Sequence, residues 1–246
     1  MTPYYQDGLV TIYHGDCREI MADIVQGDTC ITDPVWPNSV FPDVTNPAKL
    51  FAEMCTLLMT ERLVVHLGCM SDPRFLLGVP ASFPFLRVCW LAYAIPGHRG
   101  RILVGSDVAY AFGPAPSSRP GRRVLGGQVV ACRNDLKTQH SHRGNGTSSV
   151  DYGRLPHPAP RRLEHVRWLV GTFAETSVFD PFCGTGTTLL AAKERALPSI
   201  GIEAEERYCE IAATRMAQEV LPLDRVAERS LDVIAAKRLA QQEMRL

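Results

Sequence analysis

The sequence predicts an α/β fold with a doubly wound, mainly parallel sheet and a loop-rich basic insertion. Short apolar runs alternate with helical patterns over residues 9–95 and again over 157–222, which is typical of βαβ units. Between them lies a block rich in Gly and Pro, residues 96–156. A chain of 246 residues, 46% hydrophobic and 21% charged, is long enough to bury the core of one large domain.

The first block, residues 1–95, is predicted to form one half of this domain. Its strand-like and helix-like stretches alternate in the order LVTIYHGD, CREIMADI, TCITDP, NPAKLFAEMCTLL, RLVVHLG, PRFLLG and FLRVCWLAY. Apolar runs of this length, bounded by turn residues and separated by helical patterns, indicate parallel strands joined by crossover helices.

The middle block, residues 96–156, differs in charge. Residues 98–167 hold 12 Lys and Arg against 4 Asp and Glu, although the whole chain has a formal net charge of zero. Gly, Pro and Ser are frequent in the block, and the apolar stretch SDVAYAFG lies near its start. A cationic surface of this kind is typical of contact with phosphate groups, and a solvated insertion is the structural alternative.

The second α/β block, residues 157–222, is predicted to form the other half of the domain. It contains a helix, the strand TSVFDPF, a glycine turn, the helix TTLLAAKERA, the strand SIGIEA and a last helix. The tail, residues 223–246, has the pattern of one amphipathic charged helix that packs on the body or on a second chain.

A glycine turn separates the strand that ends near Asp180 from a helix that begins at Thr187 or Thr188. Its two glycines, at positions 184 and 186, permit a tight turn and close approach of a ligand. The helix N-terminus beside them offers unpaired N–H groups. Glu203 ends the next strand, where an acidic side chain accepts hydrogen bonds from a ribose in nucleotide-binding βαβ units.

The ligand predicted for this turn contains adenosine but no pyrophosphate. Residue 189 is Leu rather than the third glycine of the dinucleotide fingerprint, and no G-K-[ST] follows to grip a phosphate. S-adenosyl-L-methionine, with an adenine, a ribose and an amino-acid tail, meets this description. A well-packed βαβ turn with an incidental glutamate is the alternative.

The stretch CITDPVWPN, residues 30–38, has two interpretations. Asp-Pro after an apolar run is common at an ordinary turn, because proline fixes its own φ and restricts the residue before it. Alternatively, a strand delivers the carboxylate of Asp33 and the flat ring of Trp36 to one point. Taken alone, the stretch favours the turn, and its context favours the second interpretation.

Four stretches together resemble the amino-group (N6-adenine/N4-cytosine) DNA methyltransferases of the β arrangement, in which the catalytic loop precedes the cofactor-binding loop. IYHGDCREIM (12–21) is similar to the opening strand and turn of that family, and TDPVWPN (32–38) to its D-P-P-[YFW] loop. HPAPRRLEHVRWLV (157–170), and DPFCGTGTT (180–188) with GIEAEERYCEIA (201–212), are similar to its cofactor half. The resemblance implies the S-adenosylmethionine-dependent methyltransferase fold, with target recognition in residues 96–156.

The resemblance gives residues 33–36 a catalytic role. Asp33 and the backbone carbonyl of Pro34 are expected to accept the N–H bonds of an exocyclic amine, which aims its lone pair at the methyl group. Trp36 is expected to stack on the base after base flipping. Val35 stands where the family usually has a second proline, which leaves the loop freer.

The resemblance also implies where the cofactor binds. Asp16 and Cys17 are expected at its adenine edge, and Glu203 at its ribose. Arg161 stands where the family commonly has lysine, near the methionine carboxylate, whereas His157 is expected to be structural. The complete predicted set is Asp16, Cys17, Arg161, Asp180, Phe182, Gly184, Gly186, Thr187, Thr188 and Glu203.

The expected activity is DNA methylation at the N6 of adenine, because the motif begins with Asp, whereas Ser would favour cytosine N4. The alternatives are a cytosine-N4 methyltransferase and an inactive relative that binds DNA and the cofactor, and RNA or protein amines stay open as acceptors. Cytosine C5 chemistry is disfavoured, because no cysteine follows a proline.

Composition disfavours several other classes of protein. The eight cysteines contain no C-x-x-C pair, which disfavours a zinc site or a disulfide frame. No apolar run reaches the ~18–20 residues that span a bilayer, and the N-terminus lacks the pattern of a signal peptide. We expect a cytoplasmic protein without a metal, with double-stranded DNA as partner. The tail helix suggests a homodimer, and the resemblance suggests a cognate restriction enzyme.

Overall fold

A computed structural model describes residues 1–36, 44–118, 125–131 and 161–218, and these contain one nine-stranded sheet. The strands are β1 (Tyr5–Gln6), β2 (Val10–His14), β3 (Thr29–Thr32), β4 (Arg62–Gly68), β5 (Phe85–Arg99), β6 (Ile102–Phe112), β7 (Gln128–Ala131), β8 (Val178–Asp180) and β9 (Ser199–Glu203). Their order is β1-β2-β9-β8-β3-β4-β6-β5-β7. The five strands β2, β9, β8, β3 and β4 are parallel, so the predicted mainly parallel core is confirmed.

Helices cover both faces of the parallel part. They are α1 (Cys17–Ile20), α2 (Pro47–Thr56), α3 (Leu163–Phe173), α4 (Thr187–Glu194) and α5 (Glu206–Ala217), with a 3-10 helix at Pro73–Gly78. Among the described residues three hydrophobic clusters form, one between the sheet and α1 and α2, one between the sheet and α3 and α4, and one that joins β2, α4 and α5. The strands β3 and β4 are buried along their whole length, as expected of inner strands that helices cover on both faces, and the doubly wound arrangement is confirmed.

The antiparallel side of the sheet differs from the expected loop-rich block. Residues 85–112 form a long hairpin of β5 and β6, and β6 pairs with β4 in the sheet. The expected boundary between residues 95 and 96 therefore falls inside β5. Pro96 and nearby glycines suggested a loop, but the strand accommodates them at a register shift between Ala92 and Gly97.

Two further expectations fall partly or wholly outside the described residues. The predicted tail helix, 223–246, residues 119–124 and 132–156 of the basic block, and His157 lie outside the described residues. The stretch CREIMADI gives only the single helical turn of α1, and PRFLLG gives the 3-10 helix.

The parallel strands bring the predicted site residues to one edge. The carboxyl ends of β2, β3, β8 and β9 are followed or closed by Asp16, Asp33, Asp180 and Glu203. Because parallel strands point the same way, these carboxylates meet at one side of the sheet, where open α/β sheets bind ligands. Four acids far apart in the sequence thus share one edge.

Candidate active site

A cavity of about 570 Å³ opens at this edge, within the size range of small-molecule sites. Ten of the thirteen predicted site residues line it, namely Asp16, Cys17, Asp33, Arg161, Asp180, Phe182, Gly184, Thr187, Thr188 and Glu203. Pro34, Trp36 and Gly186 do not line it. The two motifs of the sequence therefore meet at a single cavity.

The glycine turn has the conformation that its sequence predicts. Gly184 and Gly186 have φ values of 52° and 78°, in the left-handed region that glycine tolerates best. Gly186 is also the N-cap of α4, and a Cβ atom there would lie 3.1 Å from the Cβ of Ala212 in α5. Both the backbone angle and the packing of α5 therefore require glycine at position 186.

Glu203 braces the turn from the end of β9. Its Oε2 accepts a hydrogen bond from the Gly184 N–H at 2.9 Å, and its Oε1 accepts one from the Glu205 N–H at 2.9 Å. Burial raises the pKa of this carboxyl, and these backbone bonds oppose the rise. A carboxylate has about four acceptor positions, so Glu203 retains capacity for a ligand hydroxyl while it holds the turn.

Asp180 lies beneath the same turn and is almost fully buried. Burial raises its pKa to about 7, although hydrogen bonds from Thr188, from Thr32 and from the Phe182 N–H act in the opposite direction. The Thr32 hydroxyl lies 2.8 Å from Asp180 Oδ1. Asp180 therefore links the end of β3 to the end of β8, which are the strands that carry the two motifs.

Asp16 and Cys17 line the cavity beside Glu203, because β2 pairs with β9 in the sheet. Asp16 is the N-cap of α1 and accepts a hydrogen bond from the Arg18 N–H at 2.8 Å. Its carboxylate also pairs with the Arg18 guanidinium, which reaches Glu53 in α2 at 2.8 Å. Burial raises the pKa of the Cys17 thiol to about 12, so Cys17 contributes a neutral apolar surface.

Arg161 lines the same cavity as the other predicted cofactor residues. Its Nε donates to Oδ2 of Asp33 in an ion pair, and contact with the methionine carboxylate of a cofactor stays a prediction. The side chains of Arg161 and Asp33 are 16% and 23% exposed, so a partly desolvated carboxylate attracts the nearest cation. The other oxygen of Asp33, Oδ1, has no hydrogen-bond donor among the described residues.

The ring of Trp36 is held on several sides. Its indole Nε1 donates to the His66 carbonyl at 3.3 Å, and its six-membered ring lies against Gly68, the last residue of β4. The Arg161 guanidinium lies over the ring, with Cζ 3.8 Å from the centroid. Since Arg161 lines the cavity and Trp36 does not, the guanidinium covers the ring on the cavity side.

A buried polar cluster that the sequence did not indicate lies behind Arg161. Asp107 on β6 accepts a hydrogen bond from the Tyr93 hydroxyl at 2.5 Å and lies 3.4 Å from Nε2 of His66. Its Oδ2 is 3.8 Å from Nη1 of Arg161. Burial acts to raise the pKa of Asp107, but His66, Tyr93 and Arg161 outweigh it and hold the pKa at about 2.

A second residue missed from the sequence is Arg215 on α5. Its Nη1 donates to the Thr185 carbonyl and lies 3.4 Å from the Thr187 hydroxyl. Burial lowers its pKa. The helical pattern of α5 gave no signal for this contact, because a charged residue on an amphipathic helix is usually assigned to the solvent side.

Other ligand classes receive no support from the described residues. Within residues 1–36, 44–118, 125–131 and 161–218, no group of three His, Cys, Asp or Glu side chains could hold a metal. Six cysteines, at positions 17, 30, 55, 89, 183 and 209, are buried, and Cys69 is exposed. The same part of the chain contains no helix that is long and apolar enough to span a membrane.

Three curated proteins resemble part of the chain. The 23S rRNA (uracil(747)-C(5))-methyltransferase RlmC of Shewanella oneidensis is 36% identical over 77 residues, which cover 31% of this chain and 19% of that protein. The orphan methyltransferase M.BamHII of Bacillus amyloliquefaciens is 34% identical over 80 residues, 32% of this chain and 30% of that protein. The type II methyltransferase M.ScaI of Streptomyces caespitosus is 34% identical over 82 residues, which cover 32% of this chain and 26% of that protein. Each match spans less than a third of the relative's length.

Two solved structures share the fold. The M1.HpyAVI–SAM complex has a TM-score of 0.61 and 20% identity, and the likeness covers 85% of this chain and 100% of that chain. The PvuII cytosine-N4-specific DNA methyltransferase has a TM-score of 0.64 and 14% identity, and the likeness covers 92% of this chain and 93% of that chain. The methyltransferase fold predicted from the sequence is confirmed.

A family model described as DNA methylase, of the N6/N4 methyltransferase type, matches residues 36–214. The match begins at Trp36, so Asp33 and Pro34 lie just before it. It includes Arg161, the glycine turn and Glu203, and it confirms the family predicted from the four sequence stretches. Because the match spans more than half of the chain, this protein belongs to the N6/N4 DNA methylase family.

Proposed function

We propose that this protein transfers a methyl group from S-adenosylmethionine to the exocyclic N6 of adenine in DNA. The observation that carries the proposal is the contact of Asp33 and Trp36 with a planar N–H donor, the Arg161 guanidinium. The amine edge of a base offers the same combination of a flat ring and N–H donors. The unpaired Oδ1 of Asp33 is a further acceptor for that amine.

The catalytic loop provides acceptors and a stacking surface. Asp33 and the carbonyl of Pro34 accept hydrogen bonds from the two N–H groups of the amine. This favours a tetrahedral nitrogen whose lone pair is directed at the methyl group instead of being delocalised into the ring. Trp36 fixes the plane of the base by stacking. Holding a poor nucleophile in a near-attack geometry can lower the barrier by several kcal/mol, about 7–11 at the upper end, and no covalent enzyme intermediate is needed.

The cofactor cavity fits S-adenosylmethionine in its chemistry. Glu203 has acceptor capacity for ribose hydroxyls, and Phe182 and Cys17 provide apolar wall for the adenine. The N-terminus of α4 has no side-chain cap, so its N–H groups are available to a carboxylate. When bound, the cofactor supplies a methyl group on a positively charged sulfur. Asp180 stabilises the turn through its hydrogen bonds with Thr188 and the Phe182 N–H.

DNA as the substrate is supported by family membership and by charge. The excess of Lys and Arg falls within residues 98–167. In its described part, the tip of the β5–β6 hairpin carries Arg101 beside the exposed residues Ile95, Ile102 and Leu103. A two-stranded ribbon of this width enters a DNA groove. We assign target recognition to residues 96–156, with this hairpin as its described portion.

Methyl transfer from labelled S-adenosylmethionine to unmethylated DNA, followed by nucleoside analysis, tests the proposal. We expect N6-methyladenine from the wild type and a loss of at least 100-fold in Asp33→Ala. Asp72→Ala is the matched control, because Asp72 is an exposed carboxylate paired with Arg74 outside the cavity. This variant should retain wild-type activity.

The other products each decide a different part of the proposal. N4-methylcytosine would keep the roles of Asp33 and Trp36 and correct the base. No methylated nucleoside from a protein that still binds S-adenosylmethionine and DNA would contradict the enzyme and indicate a binding protein. Equal loss of activity in Asp33→Ala and Asp72→Ala would contradict the assigned role of Asp33.

A further inference from the structure

The Arg161 guanidinium occupies the place that the proposed function gives to the base. It is paired with Asp33 and covers Trp36 on the cavity side, at a stacking distance of 3.8 Å. The indole cannot retreat from it, since the ring lies against Gly68 and its N–H is bonded to His66. A base therefore reaches Asp33 and Trp36 only after the guanidinium has moved.

A displaced arginine needs another partner in this partly desolvated site. Removing one member of a buried ion pair is unfavourable, because the remaining charge is left uncompensated. Asp107 is the second carboxylate within reach, with Oδ2 3.8 Å from Nη1 of Arg161 and a side chain only 10% exposed. A shift of the guanidinium by about 1 Å would bring Nη1 within hydrogen-bond distance of Oδ2 of Asp107.

The surroundings of Asp107 keep it ready to accept that charge. Tyr93 and His66 each contact Oδ2, and Arg162 lies over the Tyr93 ring at 4.1 Å. These contacts fix the carboxylate in position beneath Arg161, and its low pKa of about 2 leaves it ionised at neutral pH. The carboxylate is therefore fixed and charged before any base arrives.

We propose that Asp107 is a positioning residue of this site, which receives the Arg161 guanidinium when a flipped base displaces it from Asp33 and Trp36. The inference rests on the proposed function for the identity of the base. In this arrangement Arg161 closes the base site when it is empty, and Asp107 lowers the free energy needed to open it. Asp107 acts through Arg161 and does not contact the base.

A double-mutant cycle of Asp107→Asn and Arg161→Met tests this coupling, with kcat and KM for unmethylated DNA measured separately. We expect Asp107→Asn to raise the KM for DNA at least 10-fold, with a smaller change in kcat. In the Arg161→Met background the same substitution should change KM less than 2-fold, because no guanidinium remains to be received. An equal effect in both backgrounds, or no effect in the wild-type background, would overturn the proposal.

Two controls distinguish the proposed role of Asp107 from a purely structural one. Tyr93→Phe removes a hydrogen bond from Asp107 but leaves its charge, so it should affect KM less than Asp107→Asn does. Thermal unfolding of all variants reports whether the cluster is intact. If Tyr93→Phe raised KM as much as Asp107→Asn, the shape of the cluster rather than the charge would be responsible, and the proposal would fail.

Binding of 2-aminopurine deoxyriboside separates this inference from the proposed function, because its fluorescence is quenched on stacking and no methyl transfer is required. We expect affinity to rise at least 5-fold in Arg161→Met and to fall at least 5-fold in Asp107→Asn. The double variant should bind like Arg161→Met. If the variants bind the nucleoside in this order of affinity but no DNA is methylated, the proposed activity is refuted and the inference is kept. If all variants bind the nucleoside with the affinity of the wild type, the inference is refuted.

Discussion

The ring of Trp36 lies directly against Gly68, so that a Cβ atom at position 68 would be 2.3 Å from the indole. Gly68 ends β4, the strand next to the one that leads into Asp33. The absence of a side chain at the end of β4 therefore sets the position of the ring. A glycine that looks like ordinary strand termination in the sequence is part of the site.

Gly68→Ala should displace the Trp36 ring and impair base binding more than folding. Contacts under 3.0 Å are not tolerated between carbon atoms, and the ring can move toward the cavity side more easily than the backbone of β4 can. We expect kcat/KM for DNA to fall at least 10-fold in the methyl-transfer assay. Gly8→Ala is the control, because a Cβ there meets nothing within 4 Å. Equal activities of the two variants would refute the assigned position of Trp36.

Glu203→Gln should weaken cofactor binding through the glycine turn. The amide has one oxygen, so the N–H of Gly184 or of Glu205 loses its acceptor, and charge-assisted hydrogen bonds are the stronger kind. We expect at least a 10-fold rise in the Kd of S-adenosylmethionine by calorimetry. The exposed Glu210 of α5 offers the comparison, since Glu210→Gln should leave Kd unchanged. An unchanged Kd in Glu203→Gln would remove Glu203 from the cofactor site.

Sequence patterns predicted those parts of the site that local structure determines. Asp33, Asp180 and Glu203 were found because each follows or closes a short apolar strand, and parallel strands bring such positions to one edge. Gly184 and Gly186 were found because a tight turn before a helix needs positive φ. These features depend on a few neighbouring residues and are visible in the linear sequence.

Contacts between distant segments could not be predicted in the same way. Arg161 was assigned to the cofactor from its place in a motif, but its partner is set by how α3 and β3 pack, which brings it to Asp33. Asp107 lies in an apolar stretch, SDVAYAFG, whose pairing with β4 is a tertiary effect. The hairpin of β5 and β6 was missed because Pro96 and the nearby glycines suggested a loop.

Arg62→Met should reduce stability without changing the site. The Arg62 side chain is 4% exposed at the opposite edge of the sheet, where it pairs with Glu175 and lies 3.3 Å from Asp28. Removing one partner of such a buried pair costs about 3–5 kcal/mol. We expect a loss in the free energy of unfolding near that size in urea titration. The Kd of S-adenosylmethionine should stay within 2-fold of the wild type. A 10-fold change in Kd would show that the two edges are coupled.

Asp180 should make the protein less stable as the pH rises from about 4 to about 7. Burial raises its pKa to about 7 from an ordinary value of 3.8, with Asp33 adding to the rise, while Thr188, Thr32 and the Phe182 N–H oppose it. In this window the folded protein retains a proton that the unfolded chain has released. The stabilisation from that proton is complete below pH 4 and is lost as the pH passes through 7.

Comparison with Asp180→Asn isolates this contribution, since all other groups titrate alike in both proteins. The slope for one proton is about 1.4 kcal/mol per pH unit, so the free energy of unfolding of Asp180→Asn minus that of the wild type should grow by a few kcal/mol between pH 4 and pH 7. Urea titrations at half-unit steps measure it. If the difference for Asp180→Asn stayed constant over this range, Asp180 would be ionised in the folded protein, and its bond with Thr32 would be that of a carboxylate.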